Sequence, residues 1–130
     1  NYGKVKCHEL LLKAYKNSNL DLKLVLIGKN VKENTINIVK ELNIEDKVVF
    51  TGYLKNPYNI LKNAKLLIMS SSYEGFSMVL VEALALKTIP ISTDCTSGPN
   101  EILIDELKDN LVPINNIKEL SSKILEVINN

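Results

Sequence analysis

Residues 66–93, LLIMSSSYEGFSMVLVEALALKTIPIST, contain the pattern that decides the fold. The apolar run Leu66 to Met69 is followed by a loop of Ser and Gly, which is typical of a short buried strand. Apolar residues from about Met78 to Leu86 then predict a helix, and Ile89 to Ser92 predicts another strand. A strand, a helix and a strand in this order predict a right-handed crossover between two parallel strands.

The same alternation continues on both sides of this segment. It predicts further helices around Leu10 to Tyr15 and over 32–43, 57–64, 100–104 and 117–128, and further strands over 22–27, 48–51 and 111–114. Nearly continuous apolar strands that alternate with helices indicate an α/β fold, a Rossmann-like parallel sheet with helices on both faces. Ligands of such sheets bind at the carboxyl ends of the strands, so we expect functional residues just after Gly28, Gly52, Met69 and Thr93.

Composition limits the kinds of partner. The chain has 130 residues, 45% of them hydrophobic, and a net charge of +1, which predicts one domain over residues 1–130 that needs no disulfide or metal for its core. Balanced charge and few aromatic residues argue against nucleic acid and against a membrane-binding patch on this chain. All 16 basic residues are Lys. An anion must therefore be bound by Lys side chains and backbone amides, without the planar Arg fork.

Cysteine and histidine usage points to a cytoplasmic protein without a metal site. Cys7 and Cys95 are far apart in sequence, as is typical of reduced intracellular thiols. His8 is the single His, so no metal cluster or catalytic triad can be assembled, and we expect a structural or surface role for it. A GxGxxG turn, a P-loop and a DxD pair are also missing from the sequence.

The loop and helix over Ser70 to Glu82 predict an anion site. Ser77 is a plausible N-cap, and the free amides of Ser77, Met78 and Val79 at the helix start would favour a phosphate. Glu82 is the one charged residue in an otherwise apolar helix, and it lies roughly 7.5 Å along the axis from Ser77. Burial of an unpaired carboxylate is costly, so Glu82 must contact a ligand or a protein partner.

Two alternatives remain open at this point. Glu82 could form a structural hydrogen bond to nearby backbone or to a Lys, and Glu74 could be a solvated turn residue. Together the two carboxylates form one compact Glu-x7-Glu arrangement around a helix start.

These residues resemble a known family. Residues 71–83, SSYEGFSMVLVEA, look like the Glu-x7-Glu signature of the family 4 retaining glycosyltransferases, which have the two-domain GT-B fold. The resemblance covers nearly the whole chain and includes further segments in the order of that family's C-terminal, donor-binding domain: 24–28, 48–52, Asn56-Pro57, 64–68, 92–94 and 97–103.

The resemblance implies a role for particular residues. Glu74 and the amides of Gly75, Phe76 and Ser77 would bind the donor sugar, and Glu82 would bind the ribose hydroxyls. Lys6, Met78 and Val79 would bind the diphosphate, with Lys6 and Glu74 as the catalytic residues. Tyr53 and Leu54 would read the nucleobase through their backbone.

The implied function is transfer of a hexose-type sugar from a UDP or GDP donor to a bacterial glycan or lipid-linked acceptor, such as capsule or lipopolysaccharide. The full-length enzyme would work in the cytoplasm, at the cytoplasmic face of the inner membrane, with no metal or other cofactor. The chain begins at Asn1 without a Met, so we expect a fragment that lacks an N-terminal acceptor domain and the first strand, and that has little activity alone.

Departures from the family pattern are few. The family's usual Arg upstream of Lys6 would fall at Asn1 or before it, Ser77 replaces a frequent Gly, and Lys87 stands where a glycine commonly follows the signature helix. Two other functions remain as alternatives: a non-catalytic nucleotide-sugar-binding or scaffold domain, and an unrelated Rossmann-like domain such as part of a nucleotide-sugar epimerase.

Overall fold

A computed structural model of the chain describes residues 8–69, 78–94, 99, 103, 105–114 and 116–129. Helices and strands alternate through these residues, as the sequence predicts. In chain order they are α1 (His8–Ser18), β1 (Leu24–Ile27), α2 (Val31–Glu41), β2 (Val48–Gly52), α3 (Tyr58–Asn63), β3 (Leu66–Met69), α4 (Met78–Ala85), β4 (Ile89–Thr93), a 3-10 helix (Asp105–Asn110), β5 (Leu111–Val112) and α5 (Ile117–Ile128).

The strand pairs are parallel, which confirms the α/β fold class. In the described residues, β1 pairs with β2, and β3, β4 and β5 follow one another in a second sheet. Leu24 lies opposite Val48, Leu66 opposite Ile89, and Ser92 opposite Leu111. Two predicted crossover helices between paired strands are present: α2 connects β1 to β2, and α4 connects β3 to β4.

Helix α1 packs against both groups of strands. Its residues Leu11, Leu12 and Tyr15 are buried in a cluster with β1, α2 and β2, whereas Leu10 and Ala14 are buried with β4, β5 and α5. One helix therefore supplies apolar side chains to two core clusters, and burial of this surface is the main force that stabilises the arrangement.

Part of one sheet face is open to solvent. Val25 and Ile27 in β1 are each 38% exposed, and Val49 in β2 is 40% exposed. Val25 is the register partner of Val49, so these side chains lie on the same face. An apolar run in the sequence indicates which strand can be buried, but it does not indicate what covers each face.

The C-terminal third contains one element that the sequence did not predict. The 3-10 helix Asp105–Asn110, sequence DELKDN, has no apolar periodicity that could have revealed it. Most of the predicted helix over 100–104 lies outside the described residues. Helix α5, in contrast, has the predicted bounds, and the Asn116 side chain caps it by accepting a hydrogen bond from the Glu119 backbone N–H.

Candidate functional site

Four strands end at or next to the positions predicted from the sequence. At the ends of β1 and β2, the Gly28 backbone N–H donates to the Gly52 carbonyl at 3.0 Å. At the ends of β3 and β4, the Thr93 hydroxyl lies 3.5 Å from the Met69 carbonyl oxygen. Helices α3 and α4 follow the ends of β2 and β3, so their first turns lie at the carboxyl edge, where ligands of this fold class bind.

Glu82 is the fifth residue of α4 and is half-buried at this edge. Its Oε2 atom accepts a hydrogen bond from the Tyr58 hydroxyl at 2.9 Å. This bond and the negative charge of Glu82 raise the pKa of the Tyr58 phenol above its ordinary value, because both favour the protonated form. The bond joins the second turn of α4 to the first residue of α3.

The backbone before Tyr58 fixes where its side chain starts. Pro57 immediately precedes α3, a place where its missing N–H costs little. The Asn56 side-chain oxygen accepts a hydrogen bond from the Tyr58 backbone N–H at 3.1 Å. Asn56 therefore satisfies a donor that the helix start would otherwise leave without a partner.

A second bond joins the far ends of the same two helices. Thr88, just beyond α4, is 3% exposed. Its hydroxyl donates to the Leu61 carbonyl at 2.7 Å, and its backbone N–H donates to the Ala83 carbonyl at 2.8 Å. Helices α3 and α4 are thus connected at Tyr58 and Glu82 and again at Leu61 and Thr88.

Lys87 ends α4 in the left-handed conformation, with φ of 62°. Its backbone N–H donates to Leu84, while Thr88 donates to Ala83, a pair of bonds that defines a Schellman motif. Glycine favours this position because it has no Cβ to clash. The glycine that the resemblance associates with this position therefore has a structural explanation, and Lys87 takes up the strained conformation in its place.

The structure describes part of the predicted site. Met78 and Val79 are the first two residues of α4, where backbone N–H groups have no partner within the helix. Tyr53 is 73% exposed and Leu54 is half-buried, both between β2 and α3. The remaining predicted site residues lie outside the described residues: Lys6, Glu74, Gly75, Phe76 and Ser77.

The partner of Glu82 differs from both structural alternatives considered from the sequence. Among the described residues, its side chain bonds to a tyrosine hydroxyl rather than to backbone or to a Lys. Within the described residues, the ion pairs given by the geometry join Lys13 to Glu9 and Lys123 to Glu126, both on helix surfaces. A carboxylate has about four acceptor positions, so the bond from Tyr58 leaves most of them available to a ligand.

Sequence reasoning missed Tyr58 and Thr88, although one signal was present. The predicted helix over 57–64 starts at Pro57, and an aromatic residue at such a start, beside a predicted ligand-binding edge, is a candidate contact. The connection to Glu82 spans 24 residues and depends on how α3 packs beside α4. Spacing along the chain could not predict it.

Two further observations concern the described residues only. They contain no group of three or more His, Cys, Asp or Glu side chains that could hold a metal ion. They also contain no helix that is both long and apolar enough to span a membrane.

Comparisons with known proteins agree on one family. The family described as Glycosyl transferases group 1 matches residues 1–130. The chain is 40% identical over 114 residues to the N-acetylgalactosamine-N,N'-diacetylbacillosaminyl-diphospho-undecaprenol 4-alpha-N-acetylgalactosaminyltransferase of Campylobacter jejuni. The matched region covers 87% of this chain and 31% of that protein.

Two solved structures have the same fold. The apo form of the lipopolysaccharide outer core galactosyltransferase WaaB superposes with a TM-score of 0.87 at 26% identity, over 99% of this chain and 38% of that one. A Staphylococcus aureus TarM variant in complex with UDP, fondaparinux and alpha-GlcNAc-glycerol superposes with a TM-score of 0.88 at 27% identity, over 97% of this chain and 26% of that one. The chain therefore spans only 26% to 38% of the length of these three proteins.

Proposed function

Because the chain belongs to the Glycosyl transferases group 1 family, we propose that it is the nucleotide-sugar-binding domain of a retaining glycosyltransferase. Its parallel α/β fold matches the C-terminal domain of GT-B glycosyltransferases. The donor would be a UDP or GDP sugar, and a hexose-type sugar would be transferred to a bacterial glycan or lipid-linked acceptor.

The observation that carries the proposal is the position of Glu82. It lies four residues beyond Met78, about 6 Å along the axis of α4, and is half-buried. A diphosphate at the amides of Met78 and Val79 would place a ribose within reach of this carboxylate. Amides and helix dipole favour the anion, and the carboxylate accepts hydrogen bonds from hydroxyls.

The other predicted residues complete the donor site. Glu74 and the amides of Gly75, Phe76 and Ser77 would orient the sugar, and the backbone of Tyr53 and Leu54 would contact the base. Departure of the diphosphate builds negative charge on the leaving oxygen. Lys6 and the preorganised amides at the start of α4 would stabilise that charge.

The names of relatives, rather than residues of this chain, support a proposal for the acceptor class. The names of two of them specify a diphospho-undecaprenol-linked sugar and the outer core of lipopolysaccharide as what they act on. We propose an acceptor of the same kind, bound largely by residues outside this chain, and an enzyme that works at the cytoplasmic face of the membrane.

The test is calorimetric titration of the chain with UDP and GDP, each repeated with Glu82→Ala. We expect one nucleotide to bind, and Glu82→Ala to weaken it about tenfold or more, because hydrogen bonds to a charged acceptor are among the strong ones. Glu41→Ala, an exposed carboxylate at the opposite end of α2 from the carboxyl edge, is the matched control and should leave binding unchanged. Binding of neither nucleotide by the wild-type chain would contradict the proposal.

A further inference from the structure

The bond between Tyr58 and Glu82 joins a residue with no assigned role to the proposed ribose ligand. Tyr58 donates at 2.9 Å to Oε2 of Glu82, and its own backbone N–H is held at 3.1 Å by the Asn56 side chain. Both ends of the Tyr58 residue are therefore fixed, one to the start of α3 and one to the carboxylate.

The geometry leaves Glu82 able to bind a ligand. A carboxylate accepts through about four lone-pair positions on its two oxygens, and Tyr58 occupies one of them. Oε1 and the second position on Oε2 are compatible with two neighbouring hydroxyls, such as the 2′- and 3′-hydroxyls of ribose. A glutamate side chain has three rotatable bonds, so without this contact it samples several rotamers at an exposed edge.

We propose that Tyr58 is a positioning residue that holds the Glu82 carboxylate in the orientation that accepts both ribose hydroxyls. The inference rests on the proposed function, because it requires Glu82 to be the ribose ligand. Tyr58 contacts neither sugar nor phosphate in this scheme and acts only through Glu82. Its effect is a reduction of the entropy that Glu82 loses on binding, which is a gain in affinity by preorganisation.

The experiment compares two probes, UDP and 2′,3′-dideoxy-UDP, which lacks both ribose hydroxyls; the corresponding guanosine pair is titrated in parallel. The wild-type chain should bind the complete nucleotide about tenfold more tightly than the dideoxy form. Tyr58→Phe should reduce that ratio to about threefold, with an unchanged affinity for the dideoxy probe. In a Glu82→Ala background, Tyr58→Phe should change neither affinity.

Two further variants separate positioning from folding. Asn56→Ala keeps the Tyr58 hydroxyl but releases its backbone, and should reduce the ratio by a smaller factor. Tyr15→Phe removes a hydroxyl that donates to the Leu22 carbonyl in the cluster around α2, and should leave the ratio unchanged. Circular dichroism spectra of all variants report whether each is folded, and Asn56→Ala carries the test if Tyr58→Phe is not.

The possible outcomes distinguish the role of Tyr58 from that of Glu82. A parallel loss of affinity for both probes, or no loss, overturns the inference while leaving Glu82 as the ribose ligand. Tighter binding of the complete nucleotide by Tyr58→Phe also overturns it, because Tyr58 would then compete with the ribose. A wild-type chain that does not distinguish the two probes, or binds neither pair, contradicts the proposed role of Glu82 itself and the inference with it.

Discussion

Replacement of Lys87 by glycine should give a more stable protein than replacement by alanine. Lys87 closes α4 with φ of 62°, and its backbone donates within a Schellman motif. In this left-handed conformation a Cβ atom crowds the following carbonyl, a strain that glycine does not have. The side chain of Lys87 is exposed, so its removal leaves no cavity.

Three effects determine the expected magnitude. Relief of left-handed strain contributes roughly 1–2 kcal/mol. The greater freedom of glycine in the unfolded chain costs roughly 0.4–1 kcal/mol. A cation near the C-terminal end of a helix stabilises it by about 0.3–1 kcal/mol, and any neutral replacement loses this stabilisation. Lys87→Gly should therefore be more stable than Lys87→Ala by about 1 kcal/mol, since both variants lose the charge.

Urea unfolding followed by circular dichroism measures this difference. The midpoint for Lys87→Gly should exceed that for Lys87→Ala at an unchanged m-value, because neither replacement alters the surface exposed on unfolding. A difference of about 1 kcal/mol also corresponds to a few degrees in melting temperature for a domain of this size. Equal stability of the glycine and alanine variants would refute the assignment of strain to this residue.

Two other predictions concern buried hydroxyls. Thr88→Val should lower the free energy of unfolding by about 1 kcal/mol, because the Leu61 carbonyl loses the Thr88 hydroxyl but keeps a bond from the Ala64 backbone N–H. Thr88→Ser keeps a hydroxyl and should cost less. Equal losses in urea unfolding would show that the hydroxyl is unimportant. Burial, with a smaller contribution from the charge of Asp46, raises the pKa of Tyr15. The stability that depends on the neutral phenol is therefore present below pH 10 and lost as pH rises through the folded-state pKa, so Tyr15→Phe should show a shallower fall in stability above pH 10 than wild type.

The sequence was sufficient for the elements whose signals are local. Helix α5 has the predicted bounds because an apolar periodicity begins directly after a capping residue, Asn116. The ends of β1 to β4 were predicted by apolar runs that stop at Gly or polar residues. The 3-10 helix at Asp105–Asn110 was missed because a polar segment with no period gives no such signal.

The partner of Glu82 could not be predicted from local sequence signals. An unpaired carboxylate in an apolar helix predicted that Glu82 contacts a ligand or a protein partner, and the structure gives it a protein partner, although Glu82 is half-buried rather than buried. The identity of the contact was not predictable, because Tyr58 is on another helix and its distance from Glu82 depends on tertiary packing. The sequence pattern predicts that a partner exists, whereas the fold determines which residue it is.

The two connections between α3 and α4 should make different contributions. The bond from Thr88 to Leu61 is at a residue that is 3% exposed, so water cannot replace it and its loss lowers stability. Tyr58 is 44% exposed, so water can solvate Glu82 when the Tyr58 hydroxyl is removed. Thr88→Val is therefore expected to shift the unfolding midpoint with little effect on the ratio of nucleotide affinities, and Tyr58→Phe to do the reverse. If each variant changed both the unfolding midpoint and the affinity ratio, the two connections between α3 and α4 would be coupled, and the orientation of Glu82 would depend on the stability of the fold.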